Sequence, residues 1–185
     1  MKGELLNKGD MGTRAEIYTL FYSGDVAEKL AVAHDLYARY GQTLALRPKI
    51  MAQLAAVGAS ERALQTQMGA MAMGATCTQC ASRQGGGCCS GYMAAENDVL
   101  QLLMNMLAGI QVGIQQDDGI ECCFLGATGC VLSFKPMFCL NYICGHIKGD
   151  GTPAALRLLE QQTGSLLKNQ ADMEQLLLDF FCENS

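Results

Sequence analysis

The sequence predicts an all-α fold, an irregular helical domain with cysteine-rich loops between its helices. Three observations lead there. Apolar residues recur at helical steps before residue 74 and again after residue 152, and helix-start signals precede several of those runs. No run of alternating β-branched residues is long enough to make a sizeable sheet.

The elements follow in order. Thr13-x-x-Glu16 and Asp25-x-x-Glu28 have capping-box spacing, in which each side chain satisfies a backbone N–H that the helix leaves open. Ser23-Gly24 separates the two helices they start. In the second helix Val26, Leu30, Ala33, Tyr37 and Tyr40 line one face, and Gly41 is the expected stop. Pro48 suits a first helical turn, with Ile50, Leu54 and Val57 on one face up to Gly58. Ser60 is expected to cap a further helix carrying Leu64, Met68 and Met71. The run Met68, Met71 and Met73 is read as core packing, because flexible Met fills irregular gaps. Periodicity is expected to stop from Cys77 to Gly91, with Gly85-Gly86-Gly87 as a flexible loop.

An amphipathic helix near residues 94–112 then carries Val99, Leu103, Met106 and Ile110. Irregular chain is expected from about Gln115 to Lys135, and Pro136 opens a short helix through Cys139. Thr152-Pro153 makes a cap and first turn for the last region, where Met173, Leu177 and Phe180 define an apolar face. The length of 185 residues fits one domain over 1–185. Within it we distinguish an N-terminal helical part (1–74), a cysteine-cluster part (75–150) and C-terminal helices (151–185).

A hydrophobic fraction of 50% and a charged fraction of 17% are those of a globular protein. The formal charge of −5 argues against a nucleic-acid surface, which needs concentrated Lys and Arg. The stretches Ala63–Ser82 and Val99–Gln116 lack charge but carry amides and glycines, so neither reads as a membrane span. The start, MKGELLNKGDMGTRAEIY, has charges throughout and does not read as a secretory signal. The expectation is a soluble, cytoplasmic protein with no nucleic-acid or membrane partner.

The chain holds ten cysteines, nine of them between Cys77 and Cys144. In a reducing compartment, clustered thiols serve as ligands or redox groups rather than as a disulfide framework. The first cluster reads C-T-Q-C-A-S-R-Q-G-G-G-C-C and places Cys77, Cys80, Cys88 and Cys89 within thirteen residues. Two residues between cysteines let a turn aim both sulfurs at one metal, as in many zinc and iron–sulfur sites. The second cluster supplies Cys122, Cys123, Cys130, Cys139 and Cys144, with His146 just beyond. The intervening helix would carry the chain back so that the clusters meet.

These clusters resemble the bacterial C-x-x-C-x-x-C-C family of zinc- or iron-chelating domains. The family's second motif runs C-P-x-L, then G-x-C, then R-P-x-x-C. Here Cys122-Cys123-Phe124-Leu125, Gly129-Cys130 and Lys135-Pro136-Met137-Phe138-Cys139 take those places, and Cys88-Cys89 precede Ala95-Glu96-Asn97-Asp98-Val99 as in the first motif. The resemblance covers roughly residues 77–145. Seven residues rather than two separate Cys80 from Cys88, Cys123 replaces Pro, and Lys135 replaces Arg. The resemblance implies Cys77, Cys80, Cys88, Cys89, Cys122, Cys130 and Cys139 as metal ligands, with Cys144 an eighth candidate. Cys123 and Cys182 read as buried apolar thiols.

The resulting expectation is metal-binding loops that hold zinc or an iron–sulfur cluster, with no protein partner named by the sequence. The family also resembles part of the flagellin lysine N-methylases, which leaves a metal-dependent enzyme as the alternative. Glu96, Asp98, Asp117, Asp118 and Glu121 are its acid–base candidates, though solvated helix-start and loop carboxylates explain them as well. No glycine-rich nucleotide fingerprint follows a strand. A third reading is thiol–disulfide exchange at Cys77 and Cys80, which runs against the helical sequence preceding that motif.

Overall fold

Two capping boxes set the entry of the chain into its first two helices. The computed structural model describes residues 12–81, 87–116, 119–127, 129–141 and 143–184, with the side chains of 78–81 outside the description. Before α1 (Arg14–Tyr22), Thr13 Oγ1 accepts from the Glu16 amide and Glu16 Oε2 accepts from the Thr13 amide at 2.6 Å. Asp25 and Glu28 repeat the exchange before α2 (Val26–Ala45), at 2.8 and 3.0 Å. Between the helices Gly24 has φ +96°, a left-handed turn that costs glycine nothing.

Several expected breaks are absent. α2 runs through Gly41 to Ala45, and Gly41 is buried. A Cβ there would lie 3.1 Å from the Tyr37 ring, so this glycine makes room for an aromatic rather than ending the helix. α3 (Pro48–Ala70) likewise runs through Gly58 and Ser60. Ser60 caps nothing; its hydroxyl accepts from Asn169 Nδ2 at 2.7 Å, tying α3 to the C-terminal helix. After Ala72, at φ 52°, α4 (Met73–Ala81) continues helix through Cys77 and Cys80, where loop is expected. No Gly or Pro falls between Ala75 and Ala81 to stop it. The loop expected at Gly85-Gly86 lies outside the described residues.

The remaining elements are α5 (Gly91–Ala95), α6 (Val99–Leu107), β1 (Leu125–Gly126), β2 (Gly129–Cys130), α7 (Met137–Asn141), α8 (Gly145–Asp150) and α9 (Pro153–Glu183). β1 and β2 form a two-residue antiparallel hairpin, with Leu125 opposite Cys130, which is the one named sheet among the described residues. Thr152 caps α9 as expected, accepting from the Ala155 amide at 3.2 Å. The C-terminal part is a single helix of 31 residues rather than several. The fold is all-α, as predicted.

α6 is the centre of the packing. Every residue from Val99 to Met106 is buried, Gln101 and Asn105 included, so the helix is enclosed on all sides rather than along one face. It lies against α1, α2 and α9, while α9 packs most extensively along α3. Burying each of its leucines stabilises the fold by about 1.5–3 kcal/mol. Phe21, Tyr40, Phe180 and Phe181 stack edge to face across α1, α2 and α9, the Phe21 and Phe181 rings 5.3 Å apart. No described helix is long and apolar enough to cross a membrane.

Candidate metal centre

A short backbone ladder joins the two cysteine segments. Ser90 and Glu121 form an antiparallel bridge; the Gly91 amide donates to Ile120 at 3.0 Å and the Cys122 amide to Cys89 at 3.1 Å. The chain then turns, with the Leu125 amide bonded to the Cys122 carbonyl at 2.9 Å, into the hairpin that carries Cys130. Phe124, Leu132 and Phe134 are buried on either side of Cys130 and root the segment in the core. Pro136 opens the short turn to α7, where the Cys139 amide donates to the Pro136 carbonyl at 3.0 Å.

This frame gathers five sulfurs. The Cys89 thiol donates to Cys88, which lowers the Cys88 thiol pKa and raises that of Cys89; burial and the charges of Cys88, Cys122 and Cys130 raise Cys89 further. Burial also raises Cys122, with Cys130 adding to it. The Cys139 thiol is pushed up to about 12, first by burial and then by Cys130 and Cys122, with Lys135 opposing. Cys88, Cys89, Cys122, Cys130 and Cys139 are therefore electrostatic neighbours, although they come from both sequence clusters. Cys88, Cys89 and Cys130 are exposed, Cys139 is half-buried and Cys122 is 7% exposed, so the group sits at the surface with its inner side anchored.

Of the three other sequence-predicted ligands, two have described side chains. Cys77 is exposed on α4, a helix that contacts α8; the Cys80 side chain lies outside the described residues. Cys144 is the N-cap residue of α8, its sulfur 4.0 Å from His146 Nδ1. Cys123 and Cys182 are half-buried and pack against the core. Among the described residues, no three His, Cys, Asp or Glu side chains are close enough to hold a metal ion. The five sulfurs are neighbours, then, without forming a ligand shell. As a donor set they suit a soft or borderline metal, since four thiolates satisfy either zinc or an iron–sulfur cluster.

No protein-family model matches the chain, and neither does any curated protein or solved structure.

The residue that positions the second cluster escaped the sequence reading. Asn105, fully buried in α6, donates from Nδ2 to the Phe134 and Gln101 carbonyls at 2.9 Å each. Its Oδ1 accepts the Ser133 and Phe134 amides at 2.9 and 3.0 Å. One side chain thus satisfies the loop between Cys130 and Cys139 from the core side. Gln170 of α9 adds a bond to the Lys135 carbonyl at 3.0 Å. The signal is an Asn inside the mostly apolar run L-Q-L-L-M-N-M-L, since a polar group there needs a partner.

The carboxylate candidates separate from one another. Asp98 caps α6, accepting from the Gln101 amide at 2.7 Å, and is half-buried rather than fully solvated. Burial raises it to about 6, Glu174 adds to the rise, and Lys29 opposes it. Lys29 is itself buried and donates to the Ala95 carbonyl at 2.9 Å; the Tyr22 hydroxyl donates to Glu174. Glu121 accepts from Gln116 Nε2 at 2.9 Å. Asp117 and Asp118 lie outside the described residues. His34 lines a shallow depression of about 280 Å³ with Tyr37, Met106 and Val112, and its Nε2 lies 3.0 Å from the Val112 carbonyl oxygen.

Proposed function

We propose that the protein binds zinc or an iron–sulfur cluster through thiolates drawn from both cysteine segments. Cys88, Cys89, Cys122, Cys130 and Cys139 form the nucleus of the site. Cys77, Cys80 and Cys144 are further candidate ligands. The observation that carries this reading is the ladder between residues 89–91 and 120–122, which brings cysteines of both sequence segments into one electrostatic neighbourhood. Clustered thiols that repel one another as thiolates are stabilised by a cation between them. The resemblance to the C-x-x-C-x-x-C-C chelating domains supports the same ligands. Persistence of the thiols requires a reducing compartment, which is why we place the protein in the cytoplasm.

Purification without air, followed by elemental analysis and a visible spectrum, tests the reading. Zinc would give a colourless protein with bound metal, and an iron–sulfur cluster would give a brown one with broad visible absorption. Folded protein that retains neither metal, and takes up neither on reconstitution, would refute it.

A further inference from the structure

A depression of about 270 Å³ lies where the start of α2 meets the loop between α6 and β1. Its charged lining is Asp25 and Glu121, and among the described residues around it none is a cation. Lys29, one turn along α2, is buried and donates instead to the Ala95 carbonyl at 2.9 Å. Val26, Ala94 and Ile114 form apolar walls. The polar groups there are acceptors. Asp25 commits Oδ1 to the Glu28 amide at 2.8 Å and keeps its second oxygen. Gln116 commits Nε2 to Glu121 Oε2 and to the Cys122 carbonyl, at 2.9 and 3.3 Å, which leaves its Oε1. The carbonyl oxygens of Gly119, Ile120 and Glu121 lie 3.6, 3.9 and 4.0 Å from the side-chain position that Gly91 leaves open.

We propose that this depression binds an arginine side chain of a partner protein. Acceptors, negative charge and apolar walls together match a donor-only cation on an aliphatic stem. The volume is below the roughly 300–1,000 Å³ of cofactor pockets, so it suits a side chain. Guanidinium is favoured over ammonium on two grounds. Its flat fan carries more N–H donors for acceptors spread around the wall, and it is less strongly hydrated, so it costs less to desolvate. Tyr92, the residue after Gly91, is 68% exposed and offers an aromatic face to the same cation. Ile114 and Ile120 are 45% and 72% exposed, and contiguous exposed apolar residues mark a protein contact rather than a site for free arginine. The proposal stands apart from the metal-binding reading.

The test titrates the full chain, purified without air, with three acetylated and amidated pentapeptides. Each has leucines on either side of a central residue, which is arginine, lysine or the neutral isostere citrulline. Calorimetry should give the arginine peptide a dissociation constant on the order of 1 mM or tighter. The lysine peptide should bind at least about threefold more weakly, and the citrulline peptide should not bind measurably. Asp25→Asn keeps an N-cap acceptor, and Glu121→Gln keeps the side-chain shape. Each should weaken the arginine peptide at least about threefold, whereas Asp172→Asn, on the exposed face of α9, should not. In the unaltered chain, amide NMR signals of Gly91, Ile114 and Gly119 should move on titration, a readout that needs no variant to fold. Absence of binding, shifts confined to other residues, equal binding of the lysine or citrulline peptide, or equal loss in Asp172→Asn overturns the proposal. Arginine amide alone binding as tightly as the peptide would overturn its assignment to a partner protein.

Discussion

Asn105 and Phe134 are joined by two hydrogen bonds: the side-chain amide of Asn105 donates to the Phe134 carbonyl at 2.9 Å and its oxygen accepts the Phe134 amide at 3.0 Å. The pair is buried, and it holds the backbone midway between Cys130 and Cys139 against the central helix. Asn105→Leu, with the same branching but no polar atoms, would leave that carbonyl and the Ser133 and Phe134 amides without partners. Each such buried group costs about 1–3 kcal/mol. Denaturant unfolding should show a loss of at least about 3 kcal/mol, with faster alkylation of Cys139. A change below about 0.5 kcal/mol would mean that the loop is held by its apolar anchors alone.

Metal content should separate the cysteines by their place in the fold. Cys130→Ser and Cys139→Ser remove sulfurs from the group of five, whereas Cys182→Ser alters a side chain of α9 packed on the core. Elemental analysis of variants matched for helicity by circular dichroism should find bound metal greatly reduced in the first two and close to the parent in the third. Equal retention in all three would remove Cys130 and Cys139 from the ligand set.

Asp98 should make stability fall as pH rises. Its carboxyl is raised to about 6 by burial, with Glu174 of α9 adding to the rise and Lys29 of α2 opposing it. The folded chain therefore holds a proton that the unfolded chain releases nearer pH 4. The stabilisation is complete below that lower value and is lost as pH climbs through about 6. Asp98→Asn keeps an N-cap acceptor and has no charge to bury. Urea unfolding from pH 4 to 7.5 should show a flatter profile for the variant, with a gain on the order of 1–2 kcal/mol at the top of that range. Parallel profiles for variant and parent would contradict this account.

Gly41→Ala sets two effects against each other. Replacing glycine inside a helix gains up to about 1 kcal/mol of backbone propensity. The new methyl would sit 3.1–3.2 Å from carbons of the Tyr37 ring, closer than ordinary contact. Tyr37 is 42% exposed, so its ring has room to swing by a few tenths of an ångström. We expect net stabilisation of roughly 0.5 kcal/mol in thermal unfolding. A lowered melting temperature would show that the Tyr37 ring is fixed by its neighbours.

Local chemistry made much of the helical frame legible. The capping boxes at Thr13 and Asp25, the Thr152-Pro153 start of α9, the opening of α7 after Pro136 and the core face of Met173, Leu177 and Phe180 all follow from contacts within a few residues. Such interactions depend on sequence spacing alone. Tertiary packing decided where local signals were weak or had a second use. Gly41 and Ser60 read as boundaries but serve Tyr37 and Asn169, and these partners lie on the same helix face and 109 residues away respectively. Asp98 reads as a solvated cap, yet the helices around it bury it and raise its pKa. The two cysteine clusters were plain in the sequence, but which sulfurs meet was not. That pairing depends on the Ser90–Glu121 bridge and on Asn105, long-range hydrogen bonds that no local spacing encodes.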